Sequence, residues 1–524
     1  MAELVISSGT EVGAQASASK HRRFAANLTS NLANFSLNIL VGFWFTPYLI
    51  KHLGVANYGL IPLATAVVSY MSIFTLSMNS SVSRFLTVAL NRQDSGEANR
   101  LFNTSVFCLM ALGGVLLLFV IGGSFWVDKF LNVPPGTELQ VRVLFAFSGV
   151  AFLINAIFAP FSVPAFSCNR LELSNFVAIA QTLARVGLVV SLFTLLSPQV
   201  WQVGSSLLLS AFVAAVGGIF IWHSLAPELR IRRADFNWDT LKAITQTSGW
   251  VFLVQVGTVL FLSIDLVVVN RLMGPVANGR YAAVLQWSSL LRALAGTVAA
   301  IFTPMLLAHF ARGDSEALVR DARRAIKFLG IFIALPIGLI CGFSRPLLTL
   351  WLGKDFTALA PLMVLLVAPL SVNLAIMPLF AIALAKDEMR MPGIVSLVTG
   401  VLNLGLALTL CGPMGWGMYG VAAAGAVVLT AKNLIYMPLF AAKLTHRPWF
   451  TFYKEMGTIA CVTLVIGGLG YAFSSCFVLS RWPAFLASCA SASLLYAAFV
   501  YFLALKPDER RIITKMITSS LRPR

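Results

Sequence analysis

Apolar runs long enough for an α-helix to cross a bilayer, about 20 residues each, recur fourteen times along the chain, separated by short polar connections. They fall near 28–50, 59–83, 101–125, 143–168, 175–197, 202–224, 248–270, 281–309, 326–343, 358–384, 393–411, 419–441, 457–477 and 483–505. The pattern predicts an all-α polytopic membrane protein with about 14 transmembrane helices. No polar stretch is long enough for a soluble domain. The first 24 residues are small and polar and read as a disordered cytoplasmic N-terminus. They lack the early apolar segment of a cleaved signal, so the first span is expected to direct insertion.

Composition agrees. Of 524 residues, 58% are hydrophobic and 11% charged, with a mean hydropathy of +0.84. A soluble chain of that length needs a more charged surface. The net charge of +18 in a soluble protein would suggest nucleic acid. Its distribution here points elsewhere. With the N-terminus inside, 26 Lys and Arg fall in cytoplasmic segments, 8 in external ones and 4 within spans. Basic residues gather on the cytoplasmic side of membrane proteins, so both termini are expected there and the charge is expected to meet anionic lipid headgroups.

Two stretches repeat. Residues 91–100, NRQDSGEANR, match residues 311–320, ARGDSEALVR, at an offset of 220 through Arg92, Asp94, Ser95 and Arg100 against Arg312, Asp314, Ser315 and Arg320. Upstream, GVANYG (54–59) echoes GPVANGRY (274–281). Six spans separate the copies, so the halves share one orientation, an architecture of transporters whose cargo binds between repeats. The expected organisation is an N-terminal six-helix lobe (25–225), an amphipathic cytoplasmic linker (226–246), a C-terminal six-helix lobe (247–445), two additional transmembrane helices (446–506) and a basic cytoplasmic tail (507–524). Phe236, Trp238 and Leu241 among the basic residues of the linker suit a helix lying in the membrane interface.

The same stretches carry a family resemblance. LGVANYGL after the first span, IDLVVVNRLMGPVANGRYAA around the seventh and eighth, and GPMGWGMYGVAAA before the twelfth resemble the polysaccharide transporters, including O-antigen flippases, of the multidrug/oligosaccharidyl-lipid/polysaccharide exporter superfamily. The likeness covers about residues 24–445. It implies two pseudo-symmetric six-helix lobes around a central lumen plus two C-terminal helices. It also implies translocation of an undecaprenyl-diphosphate-linked oligosaccharide from the cytoplasmic to the periplasmic leaflet of a bacterial inner membrane. Partners would be that anionic lipid-linked cargo, membrane lipids, and polymerase and export proteins of the same pathway. Lipid II flippases carry a basic residue in the first helix, whereas none lies between Arg23 and Lys51.

Charges inside spans are costly and usually face a bundle interior or a wet cavity. Arg84, Arg185, Asp265, Arg292 and Lys432 lie within spans or at their inner edge and sum to +3, which suits a pyrophosphate. The substrate-binding candidates are Arg292, Arg185, Lys432 and Arg84. At 100° per residue, Ser77, Ser80, Arg84, Thr87 and Asn91 share a stripe on the second helix, and Tyr281, Ser288, Arg292 and Thr303 share one on the eighth. Both stripes are expected to line an aqueous cavity. Asp265 shares a stripe with Gln255 and Thr258; these three are the gating or coupling candidates, Asp265 as a counter-ion, a protonatable coupling site or one half of a plain ion pair.

Enzyme chemistry finds little footing. The seven cysteines form no CxxC pair and the five histidines no cluster, so no metal, cofactor or disulfide framework is indicated. GWGMYG (415–420) matches G-x-G-x-x-G, but a span precedes it and no acid follows through Leu439, so it reads as a tight external turn and not a dinucleotide site. The rival readings are a multidrug or toxin cation antiporter of the same superfamily, and a membrane glycosyltransferase or polymerase acting on lipid-linked sugars. The former expects acidic sites. The latter expects a substantial external catalytic loop, and the longest here, about 126–142, offers only Asp128, Lys129, Glu138 and Arg142.

Overall fold

The computed structural model describes residues 2–386, 388–505, 507, 509 and 510. The described chain is helical from end to end, without a strand. Among the described residues, thirteen helices are long and apolar enough to cross a membrane. One of these spans, Phe252–Ala311, has 60 residues, about 90 Å at 1.5 Å per residue, far more than one crossing. It belongs to a longer helix, α8 (Trp238–Ala311), whose backbone leaves the helical region at Gly274 (φ 85°, ψ 179°). Divided there, the thirteen become the fourteen expected.

The repeat is one turn built twice. Between α3 (Ser72–Asn91) and α4 (Ser95–Phe130), Gln93 adopts φ 58°, and the Asp94 carboxylate accepts from the Glu97 amide at 2.9 Å. Before α9 (Ser315–Gly342), Gly313 adopts φ 70°, and Asp314 accepts from the Ala317 amide at 2.9 Å. Each aspartate satisfies a helix-start donor that would otherwise be orphaned. The upstream echo is structural too. Gly54 (φ 78°) lies between α1 (Ala2–Leu53) and α2 (Val55–Ser69), as Gly274 lies between the parts of α8. The echoes also touch. A Cβ on Gly59 would sit 2.6 Å from the Gly279 nitrogen, and Asn278 donates to the Gly59 carbonyl at 2.9 Å. Only glycines permit that approach.

By packing, the chain forms two compact units, residues 1–279 and 280–524. The seventh span therefore packs within the first unit, one helix beyond the lobe boundary expected at 247 from the repeat. Its attachments explain why. Ser263 and Ser69 hydroxyls are 2.7 Å apart, and Asn132 and Asn270 exchange amide hydrogen bonds of 2.7–3.1 Å. The rest of this unit includes α5 (Glu138–Phe158), α6 (Leu171–Leu195) and α7 (Val200–Leu225).

Three local expectations differ from the structure. The backbone of residues 2–24, expected as disordered, extends α1; its alanines and glutamates favour helix. The linker is not a separate interfacial helix. Asn103 bonds the Arg230 carbonyl and the Arg232 amide, each at 2.8 Å, and the Thr104 hydroxyl accepts from the Asn237 amide at 3.1 Å, holding the segment along α4 until helix resumes at Trp238. Several spans are also discontinuous. The second breaks between α2 and α3, and the tenth is three short helices, Ala360–Val367, Leu370–Ala375 and Pro378–Ala385, punctuated by Pro361, Pro369 and Pro378.

In the second unit, α10 (Arg390–Cys411) and α11 (Gly417–Ala431) follow, and α12 (Tyr453–Cys476) lies against α9 through small residues. A Cβ on Gly338 would meet Ile466 at 2.1 Å, and one on Gly342 would meet the Gly467 carbonyl oxygen at 2.5 Å. Close backbone approach of this kind drives helix association in lipid, where burial of apolar surface contributes little. On α13 (Trp482–Phe499), the Tyr496 hydroxyl donates to the Ile331 carbonyl of α9 at 2.8 Å. The tail beyond Arg510 lies outside the described residues.

Candidate functional site

The first unit contains a polar cavity of about 360 Å³. Its lining comes from α1, α2, α3, α5, α6 and α7 and includes Asn38, Thr65, Ser69, Asn155, Gln181 and Arg185. Arg185 lies fourteen residues into α6 and ten from its end, so it sits well inside the membrane by helix rise. It forms no ion pair with any described residue, and its buried Nε lacks a hydrogen-bond partner. Around it stand hydroxyls and amides, and no carboxylate lines the cavity. A half-buried cation without a counter-ion is costly, and a guanidinium fork lining a polar space is matched to phosphate or carboxylate.

Ser69 joins this cavity to the helix of Asp265. It closes α2, where the chain tightens into i→i+3 bonds at Tyr70 before α3 begins. Ser69 lines the cavity on one side and contacts Ser263 on the other. Asp265, two residues further, is 8% exposed and lies within electrostatic range of Tyr70. Of its stripe, Gln255 is half-buried, and the Thr258 hydroxyl is bonded to its own helix at the Val254 carbonyl, 2.8 Å away. Arg84 is exposed near the end of α3, removed from the cavity lining. The side chains of Ser77 and Ser80 lie outside the described residues.

Arg292 and Lys432 belong to the second unit. Lys432 donates to the buried Ser396 hydroxyl of α10 at 2.8 Å. It opens a π-helical turn, Lys432–Tyr436, that interrupts the twelfth span after α11. Such turns carry one extra residue and are frequent at functional sites. Arg292 is half-buried on the second part of α8. The stripe expected beside it needs correction. Tyr281 is fully buried and Ser288, 1% exposed, donates to the Leu366 carbonyl at 3.2 Å, so both face packed helix and not an aqueous cavity.

The structure adds residues that charge alone did not flag. Ser69, Asn155, Gln181 and Thr65 are polar positions within spans. The amides were the readable signal, because an amide in a span needs a partner or water. The hydroxyls were not, since serine and threonine commonly bond their own helix.

The profile of the family described as "Polysaccharide biosynthesis protein" matches residues 24–308. The membrane protein EpsK of Bacillus subtilis (strain 168), itself uncharacterized, is 34% identical over 94% of this chain and 98% of its own. The lipid II flippase MurJ in an inward closed conformation superposes with a TM-score of 0.63 at 16% identity, over 91% of this chain and 97% of that one. An inward-facing multidrug resistance transporter of the MATE family gives 0.58 at 16% identity, over 79% and 95%. This chain is a multi-pass, all-helical membrane protein of the polysaccharide biosynthesis protein family, with the fold shared by MurJ and MATE transporters.

Proposed function

We propose that the protein is a flippase that moves an undecaprenyl-diphosphate-linked oligosaccharide, an O-antigen or exopolysaccharide repeat unit, from the cytoplasmic to the periplasmic leaflet of a bacterial inner membrane by alternating access. The carrying observation is Arg185, a cation without an ion pair among the described residues in a cavity of hydroxyls and amides. At about 360 Å³ the cavity is at the small end of ligand sites, which suits an anionic head and first sugar while the lipid tail stays in the bilayer. Lys432 and Arg292 are the further basic candidates for cargo contact, and Asp265 would gate or couple. The family description favours polysaccharide cargo.

Arg185→Ala tests this. In the native host it should lower export about ten- to a hundredfold, the loss expected for one charge-assisted hydrogen-bond set, while protein abundance is unchanged. Mass spectrometry should find the lipid-linked intermediate accumulating on the cytoplasmic face. Arg185→Lys should restore transport only in part, because a point charge lacks the fork. Unimpaired export by the alanine variant would remove the cavity from the pathway.

A drug exporter remains the nearest alternative. Against it, the cavity presents a cation and no carboxylate, the wrong sign for cationic drugs. The MATE likeness also covers 79% of the chain against 91% for MurJ. A lipid-linked glycosyltransferase fits less well, since the cavity lining offers no carboxylate or histidine to act as acid or base.

A further inference from the structure

The second unit holds another charged cavity, of about 420 Å³, which the transport reading does not use. It lies where α9 begins, at the face that the distribution of Lys and Arg assigns to the cytoplasm. The turn at Arg447, the start of α12 and Glu509 complete it. Six basic side chains line it, Arg320, Arg323, Arg324, Lys327, Arg447 and Lys454, against three acids, Glu316, Glu455 and Glu509. Two acids are buried and already engaged: Glu455 holds Arg323 at 2.8 Å, and Glu509 holds Lys327 at 2.5 Å. Glu316, 83% exposed, reaches Arg447 at 3.4 Å. Three further cations remain against one further acid, Asp321. Arg320 and Arg324 share Asp321 at 3.8 and 3.4 Å, and exposed Lys454 pairs with no described residue.

The repeat indicates that the turn does not need these charges. At the offset of 220, Arg323, Arg324 and Lys327 correspond to Asn103, Thr104 and Phe107. In the first unit Asn103 and Thr104 bind the main chain of the segment that follows α7, and no cluster of cations is required. In the second, the same helical positions line an open cavity with like charges. Such crowding is unfavourable until a multivalent anion enters, and guanidinium forks with lysines are the usual phosphate ligands.

We propose that this cavity binds a phosphate-bearing anion, presented either by the headgroup of an anionic phospholipid or by a soluble diphosphate. The site is separate from the Arg185 cavity, so binding can succeed or fail independently of the flippase reading.

The test uses the full-length protein in nanodiscs. Calorimetry with inorganic pyrophosphate in phosphatidylcholine nanodiscs probes the soluble source. Native mass spectrometry of protein released from mixed phosphatidylcholine and phosphatidylglycerol nanodiscs counts retained phosphatidylglycerol. An Arg324→Glu/Lys454→Glu double variant should weaken the responding probe about tenfold or more. Glu316→Gln, which removes one negative charge at an exposed site, should strengthen it severalfold. The second variant keeps the test decisive if the double reversal fails to insert. Pyrophosphate binding that follows this order identifies a soluble diphosphate, and phosphatidylglycerol retention that follows it identifies the lipid. Both outcomes support the site. Neither probe binding, or binding indifferent to the substitutions that insert, overturns it.

Discussion

The proposed roles of Asp265 and Arg185 rest on two residues whose charge was readable and whose surroundings were not. Both stood out because a charge inside a span is expensive, and the structure places both within the first unit, Arg185 in the cavity lining and Asp265 one short step beyond Ser263. What the sequence hid was their surroundings. Ser69 and Ser263 meet across 194 residues of chain, and no local pattern marks two serines as partners. Tyr281 and Ser288 failed for the converse reason: a polar stripe can be buried against a neighbouring helix carbonyl as easily as it can face water. Asp265→Asn should impair transport far more than its near-constant volume suggests, since removing one member of a buried charge arrangement typically costs about 3–5 kcal/mol. In a background with the seven native cysteines replaced, Asp265→Cys should react with a water-soluble maleimide, at a rate that changes when cargo is supplied. Normal export by the asparagine variant, with labelling only by lipid-soluble reagents, would separate this carboxylate from the pathway.

At the scale of elements, span number and order follow from hydropathy, whereas the interruptions do not. Three prolines punctuate the broken tenth span, which hydropathy alone presents as one run over 358–384. Nothing comparable marks the break after Ser69, because hydropathy averages over a window; the π turn at Lys432 is followed by Pro438, a mark that hydropathy does not register. The pairing of α9 with α12 was half legible: glycines at 330, 338 and 342 advertise a close contact, but not which helix fills it. Gly342→Leu would place side-chain atoms where the Gly467 carbonyl already sits, 2.5 Å from the first added carbon. The variant should lose about 2 kcal/mol or more of stability, read as a lower detergent-solubilised melting temperature, whereas Gly468→Leu, with open space beside it, should melt near the wild type. Equal melting of the two variants would dismiss this contact as a stabilising one.

For the whole molecule, the charge distribution makes a commitment that the helices alone do not. Reporter fusions after residues 95, 235, 318 and 450 should read cytoplasmic and those after 135 and 350 external; an external signal at 235 would break the parallel arrangement of the halves. The repeat itself is written in the turns before α4 and α9. Left-handed Gln93 and Gly313, capping Asp94 and Asp314, and the positive-φ glycines at 54 and 274 keep the same backbone at the same stations, as two descendants of one duplicated gene would. A repeated block that crosses a membrane an even number of times brings its second copy in from the same side as the first. Each copy could therefore inherit its predecessor's charge asymmetry unaltered. The two stations now differ in use: Asn103 holds the segment after α7, whereas Arg323 at the corresponding place pairs with Glu455.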